Sequence, residues 1–155
     1  MPDHAANRKR EKRGFEMLAK KIPGFYVPSS AEKDNLLRIL GISPRYKKTF
    51  DAIRLAVPKY SDVTSAKDFD LVELKTTDKC LPDLPRGFFF GMTDNEEMLL
   101  KVFEGKYFLC FVCLNEKTPG HCLLGWKELQ DLVQNKRIQY QINLRMKSKT
   151  VSPRT

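Results

Sequence analysis

The sequence predicts an α/β domain: a central mixed sheet of about four or five strands with helices on both faces. Three observations carry that expectation. Tyr107 to Leu114 reads Tyr-Phe-Leu-Cys-Phe-Val-Cys-Leu, the pattern of a strand covered on both sides and so lying mid-sheet. Phe69 to Thr76 is a second apolar run with charges at alternate positions, as a strand with one polar edge shows. Ser29-Ser30-Ala31-Glu32 and Thr93-Asp94-Asn95-Glu96 each have the spacing of a capping box, in which a hydroxyl and a glutamate satisfy the free amide donors of a helix start.

In chain order, the first element is a basic helix within residues 1–21, where Phe15, Met17, Leu18 and Ile22 recur at roughly helical spacing. Pro23-Gly24 ends it. The Ser29 box opens a second helix with Leu36, Leu37, Ile39 and Leu40 on its apolar face, and Gly41 stops it. Between Ser43 and Tyr60 two patterns compete. Ser43-Pro44 suits the start of a helix carrying Tyr46, Phe50, Ile53 and Val57, whereas Asp51, Ile53, Leu55 and Val57 alternate as a strand. The β-branched Ile53 and Val57, with Pro58 as a terminator, favour a strand from Thr49 onward. The Thr93 box opens a helix bearing Met98, Leu99, Val102 and Phe103 that closes at Gly105. Thr118-Pro119-Gly120 marks a turn, Trp126 to Val133 a helix anchored by its tryptophan, and Ile138 to Leu144 alternates as a final strand. Residues 1–144 read as a single domain, and the tail 145–155, with Arg145, Lys147, Lys149 and Arg154 and no acid, as disordered.

At 155 residues the chain has room for one core. Its 28 Lys and Arg against 19 Asp and Glu give a charge of +9, which makes a polyanion such as nucleic acid the first partner to test. The balance of 41% hydrophobic and 30% charged residues excludes the disordered, collagen-like and disulfide-scaffold classes. No apolar run approaches the roughly 20 residues of a membrane helix, and a charged N-terminus replaces the apolar stretch of a signal peptide, so a cytoplasmic location is expected. Cys80, Cys110, Cys113 and Cys122 lie in or beside apolar runs, as buried free thiols do in a reducing compartment. Cys110 and Cys113 form a Cys-x-x-Cys near His121 and Cys122, but positions three apart on a strand face opposite ways, which argues against zinc. His4 and His121, in a terminus and a turn, support no histidine or serine-type catalysis.

The chemistry concentrates on the second strand. Glu73 and Lys75 are two apart and share a face, while Leu74 points the other way. Phosphodiester hydrolysis calls for carboxylates that hold a divalent metal and for a cation near the attacking water, roles that Glu73 and Lys75 suit. One carboxylate holds magnesium poorly, and Asp51, Asp62 and Asp70 are the upstream candidates for a second. Asp70, three before Glu73, projects to the opposite face. Asp51 comes opposite Lys75 and close to Glu73 if Asp51 to Val57 folds back antiparallel on Phe69 to Lys75. Asp62 requires a tighter hairpin around Ala66 and Lys67.

An acid, then Glu-x-Lys on the next strand, then a helix and a buried strand, over roughly Thr49 to Leu114, resembles the PD-(D/E)xK nuclease superfamily of the restriction-endonuclease-like fold. The string Val-Glu-Leu-Lys-Thr-Thr is similar to the active-site strand of several restriction enzymes and of the mismatch-repair nicking endonuclease. The resemblance implies Mg2+, or Mn2+, held by Asp51 or Asp62 together with Glu73, and Lys75 assisting the attacking water. No Pro-Asp dipeptide precedes Glu73 at the usual distance; Phe50-Asp51 and Ser61-Asp62 stand in its place. Glu16, behind Gly14 and Phe15, resembles the helix glutamate that some members add to the metal site.

The implied function is a magnesium-dependent DNA endonuclease, a homodimer where both strands are cut and a monomer where one is nicked. Two alternatives stand beside it: an inactive nuclease-fold module that binds nucleic acid or serves a defence or repair complex, and an interaction protein in which Glu73 and Lys75 form a surface ion pair. Arg8, Lys9, Arg10, Lys12 and Arg13 are candidates to clamp phosphates, and Arg45, Lys47 and Lys48 to flank the scissile strand. Phe88, Phe89 and Phe90 cannot all point inward; two belong to the core, and the third is left for a ligand or another subunit.

Overall fold

The computed structural model describes residues 4–146, and in it four α-helices are interspersed among five strands so that both sides of the sheet are covered. Helix α1 (His4–Lys21) leads into β1 (Phe25–Tyr26), then come α2 (Ser30–Leu40), β2 (Ala52–Leu55), β3 (Phe69–Thr77), α3 (Asp94–Val102), β4 (Tyr107–Cys113), β5 (Gly120–Leu124) and α4 (Trp126–Leu132). The sheet order is β1-β2-β3-β4-β5, with β3 and β4 parallel and every other neighbouring pair antiparallel. The β3–α3–β4 connection is thus the crossover a parallel pair requires.

Both capping boxes form as their sequences require. Ser29 accepts from the Glu32 amide and Glu32 reaches back to the Ser29 amide, while Gly41 closes α2 in the left-handed conformation. Thr93 and Glu96 do the same for α3. Strand β4 alternates between two cores. Leu109 and Phe111 join Leu36 and Leu37 of α2, Leu99 and Leu100 of α3 and Leu129 of α4, whereas Cys110 and Val112 join Leu18 and Ile22 of α1. A run apolar on both faces is what that double burial demands. Among the described residues no helix is long and apolar enough to cross a membrane.

Several expectations are corrected. Pro44 to Thr49 is a 3-10 turn capped by Ser43, and the strand starts at Ala52 rather than Thr49, because the proline and the serine cap hold the preceding turn helical. Strands β1 and β5 have no counterpart in the sequence reading. Ile138 to Leu144 is not a strand: the segment has no regular structure, and Ile138, Tyr140, Ile142 and Leu144 are all about four-fifths exposed (81%, 80%, 78% and 86%). Alternation makes a strand only where a neighbouring edge pairs with it. On α3, Val102 faces solvent and Leu100 takes its place in the core, and Cys80 is exposed where all four thiols were expected to be buried. Arg145 belongs to the irregular segment, and the rest of the basic tail, including Lys147, Lys149 and Arg154, lies outside the described residues.

One glycine is dictated by close approach. Gly24 has φ +81°, its carbonyl accepts the Leu55 amide at 2.7 Å, and a Cβ there would lie 2.3 Å from the Leu55 carbonyl oxygen. That contact sets β1 on the edge of β2.

Candidate active site

Asp51 is placed by the backbone of β3. Its amide donates to the Val72 carbonyl at 2.9 Å, and its Oδ2 accepts the Leu74 amide at 2.8 Å. The β2/β3 register pairs Ala52 with Val72, so Asp51, one residue earlier, faces Glu73 and not Lys75 as expected. Strand parity does the rest. Ile53 and Leu71 lie in the α3-side core while Ala52, Val72 and Leu74 lie against α1, so Asp51, Glu73 and Lys75 share the α3 side.

The side chains there form a buried network. Glu73 is 7% exposed and Glu96, from α3, 5%. Lys75 Nζ donates to Glu96 Oε1 at 3.0 Å and lies 3.6 Å from Glu73 Oε2. Glu96 Oε1 also accepts the Thr93 amide at 3.2 Å, so the capping box fixes the carboxylate that holds the lysine. Because Glu73 is buried and the Lys75 side chain is only 14% exposed, the two do not form a surface ion pair.

Charge in this network does not balance. Three carboxylates meet one ammonium, and Glu73 Oε1 is buried without a hydrogen-bond partner. Asp51 and Glu96, when ionised, offer it only acceptors. Burial and then the neighbouring Asp51 and Glu96 carboxylates push the Glu73 carboxyl up from an ordinary 4.5 to about 11. Burial, with the charges of Glu73, Glu96 and Asp51, also raises the Tyr107 hydroxyl, which donates to the Thr49 carbonyl. Keeping a proton on Glu73 halves the excess negative charge, and a divalent cation would cancel it.

The remaining candidates divide clearly. Asp62 lies exposed in the Tyr60–Asp62 turn of the β2–β3 connection, at the opposite end of the hairpin from Asp51 and Glu73, so it is not part of this cluster. Asp70 pairs with Arg54 at 2.9 Å and Lys106 at 3.5 Å, away from the site. Glu16 lines a shallow hollow with Met17, Cys113, Leu114 and Pro119, and is not brought to Asp51. Glu11 is the α1 carboxylate within electrostatic reach: partial burial, then the Asp51 charge, raise its pKa. Glu11 and Glu16 are five positions apart, more than one helical turn, which points them in different directions. Neither Glu96 nor Glu11 was among the expected site residues. The capping-box spacing placed Glu96 at a helix start, but nothing in it revealed its burial or its lysine partner.

The basic residues also sort by what they touch. Arg10 and Arg13 reach Asp78 at 3.2 and 3.8 Å, Lys47 pairs with Asp34 at 2.9 Å, and Arg45 donates to the Tyr46 hydroxyl at 2.7 Å. Lys9, Lys12 and Lys48 are exposed. Arg8 stands on the same helix and has interactions of its own.

Among the described residues no group of three or more His, Cys, Asp or Glu is arranged to hold a metal outright. A magnesium ion asks for less. It keeps most of its waters and takes one or two carboxylates, and in this cluster Asp51 and Glu73 are the residues that would supply them. No family model matches the chain, and neither a curated protein nor a solved structure matches it.

Proposed function

We propose that this chain is a divalent-metal-dependent endodeoxyribonuclease of the PD-(D/E)xK kind, hydrolysing phosphodiester bonds by attack of water. The observation that carries the reading is the meeting of Asp51, Glu73 and Lys75 on one side of the β2–β3 hairpin, with Glu73 Oε1 buried and unpartnered. The order of a hairpin, a crossover helix and a parallel buried strand agrees with what the resemblance implies. The net charge of +9 supplies attraction for a polyanion that the carboxylate cluster alone would repel.

In this reading Asp51 and Glu73 would hold Mg2+ or Mn2+, and Glu73 would do so as the carboxylate. The bound ion supplies Lewis-acid polarisation of the phosphoryl group and a more acidic water. Lys75 places its ammonium beside Glu73, where it stabilises negative charge that grows on the phosphoryl oxygens. Glu96 is a positioning residue that keeps Lys75 Nζ in place through the 3.0 Å contact. Asp51 is oriented by the Leu74 amide, which holds its carboxylate at the Glu73 side of the hairpin. Exposed Lys9, Lys12 and Lys48 are suited to phosphate contacts at the periphery.

The test is cleavage of plasmid and phage DNA in magnesium, manganese or EDTA. Wild type is expected to cut only with metal. Asp51→Asn, Glu73→Gln and Lys75→Ala are each expected to lose at least about 100-fold in rate, whereas Asp62→Asn and Glu16→Gln keep wild-type activity. No cutting on any substrate, with binding that weakens as salt rises, would instead assign the chain to the inactive nucleic-acid-binding modules.

A further inference from the structure

We propose that Phe89 is a base-stacking side chain, mounted beside Lys75 to hold an unstacked base of a bound nucleic acid. The inference rests on the nuclease reading and adds to it the means by which substrate is gripped.

Three neighbouring facts place it. Phe111 of β4 is the register partner of Lys75 across the parallel β3/β4 ladder, so the two side chains leave the same face of adjacent strands. The rings of Phe88 and Phe90 both stand edge-on to Phe111, each with centroids 4.9 Å away and interplanar angles of 73° and 72°. They are also edge-on to one another at 6.2 Å. Two aromatic anchors thus flank Phe89 and turn it outward, where it is 94% exposed.

The loop that carries it is built and not merely left over. It leaves the end of β3 at Thr77 and returns at Thr93, whose capping box holds the Glu96 that binds Lys75. Gly87 adopts φ +84°, the Phe88 amide donates to the Pro85 carbonyl at 3.0 Å, and the Arg86 amide donates to the Asp83 carbonyl at 2.8 Å. Both ends of the loop are therefore tied to the elements that carry Lys75 and its partner.

The surroundings select the ligand. A protein interface needs a contiguous apolar patch, but the exposed neighbours of Phe89 are Arg86, Gly87 and Gly91. Arg86, three positions before Phe89, pairs with Asp83 at 3.3 Å with both side chains exposed, and a bare ring on a chain of charge +9 matches the way proteins hold single unpaired bases, by stacking on an aromatic face while cations meet the backbone. A ring anchored on both sides loses little freedom when a base stacks on it.

The experiment measures binding in EDTA, so that nothing is cut, with fluorescein-labelled single strands and with duplexes carrying 2-aminopurine. Wild type, Phe89→Ala and Phe89→Tyr are compared across salt concentrations, with thermal midpoints as a check on folding. Wild type is expected to bind single strands and to brighten 2-aminopurine as a base is drawn from the stack. Phe89→Ala is expected to lose roughly 10- to 100-fold in single-strand affinity and the brightening with it, while the salt slope stays the same. Phe89→Tyr is expected to restore both. Wild-type affinity and brightening in a folded Phe89→Ala would overturn the inference and leave the nuclease reading standing. A wild-type dimer that Phe89→Ala converts to monomer would overturn it in favour of a subunit contact. Failure of wild type to bind any nucleic acid would overturn both readings together.

Discussion

Replacing Glu73 with glutamine tests the charge imbalance at the heart of the site. The Glu73 carboxyl sits at about 11 in the folded chain against an ordinary 4.5, because burial and two neighbouring carboxylates oppose its ionisation. Between those values the folded state carries a proton that the unfolded state has released. Stability from this group is therefore fully present below pH 4.5 and declines as pH rises toward 11. The slope is about 1.4 kcal/mol per pH unit, which amounts to about 3 kcal/mol by pH 7. For a domain of this size 1 kcal/mol moves the thermal midpoint by about 2–4 °C, so raising the pH from 6 to 8 should lower the wild-type midpoint by about 5–11 °C on this account alone. Glutamine has the same shape, is neutral at every pH and offers an amide donor to Asp51 or Glu96. Thermal melts of wild type and Glu73→Gln from pH 5 to 9 should therefore diverge steadily, with the variant the more stable above neutrality. Taking the difference between the curves removes Glu11 and His121, whose shifts are common to both chains. Adding Mn2+ at pH 8 should raise the wild-type midpoint and leave the variant unmoved, since the ion takes the place of the proton. Parallel curves for the two proteins would refute the reasoning, for they would mean that Glu73 is ionised in the folded chain at neutral pH.

Two further substitutions test the frame around the site. Gly24→Ala puts a Cβ 2.3 Å from the Leu55 carbonyl oxygen at a residue with φ +81°, and should cost more than about 2 kcal/mol in urea unfolding by pushing β1 off the sheet edge. Thr93→Ala removes the hydroxyl that accepts the Glu96 amide and should cost about 1 kcal/mol by the same measurement. Because that capping box also steadies the partner of Lys75, Thr93→Ala is expected to slow cleavage more than its stability loss explains.

Elements whose cause is local were legible in the sequence. The Ser29 and Thr93 boxes announce α2 and α3 because cap, glutamate and first turn lie within four residues of each other. Strands β3 and β4 were legible from their apolar runs. Elements that exist only through a neighbour were not. Strand β1 is two residues long and held by the Gly24–Leu55 contact, and β5 follows from pairing with β4 while all its side chains but Leu124 are only half-buried. The same logic explains Ile138 to Leu144, which has a strand's alternation but no partner strand among the described residues. At the site, Glu73 and Lys75 were found by period-2 parity, a property of the chain itself. The choice between Asp51 and Asp62 was not, since it depends on where the β2–β3 hairpin turns, and thirteen residues of connection leave several registers open. Glu96 reaches the site from a helix twenty-one residues after Lys75, a relation that no spacing encodes.

The grip of Asp51 on the Leu74 amide ties chemistry to correct assembly. Were β3 to slip by a single residue against its neighbours, every side chain would exchange faces. Glu73 and Lys75 would then be driven into the wholly apolar layer formed by Leu18 and Ile22, and Val72 and Leu74 would be turned toward Glu96. Two misplaced charges in that layer cost more than a domain's marginal stability readily absorbs. The cluster thus works as a lock on the pairing of the strands, so that a chain able to do its chemistry is by the same fact a chain that has threaded its sheet correctly.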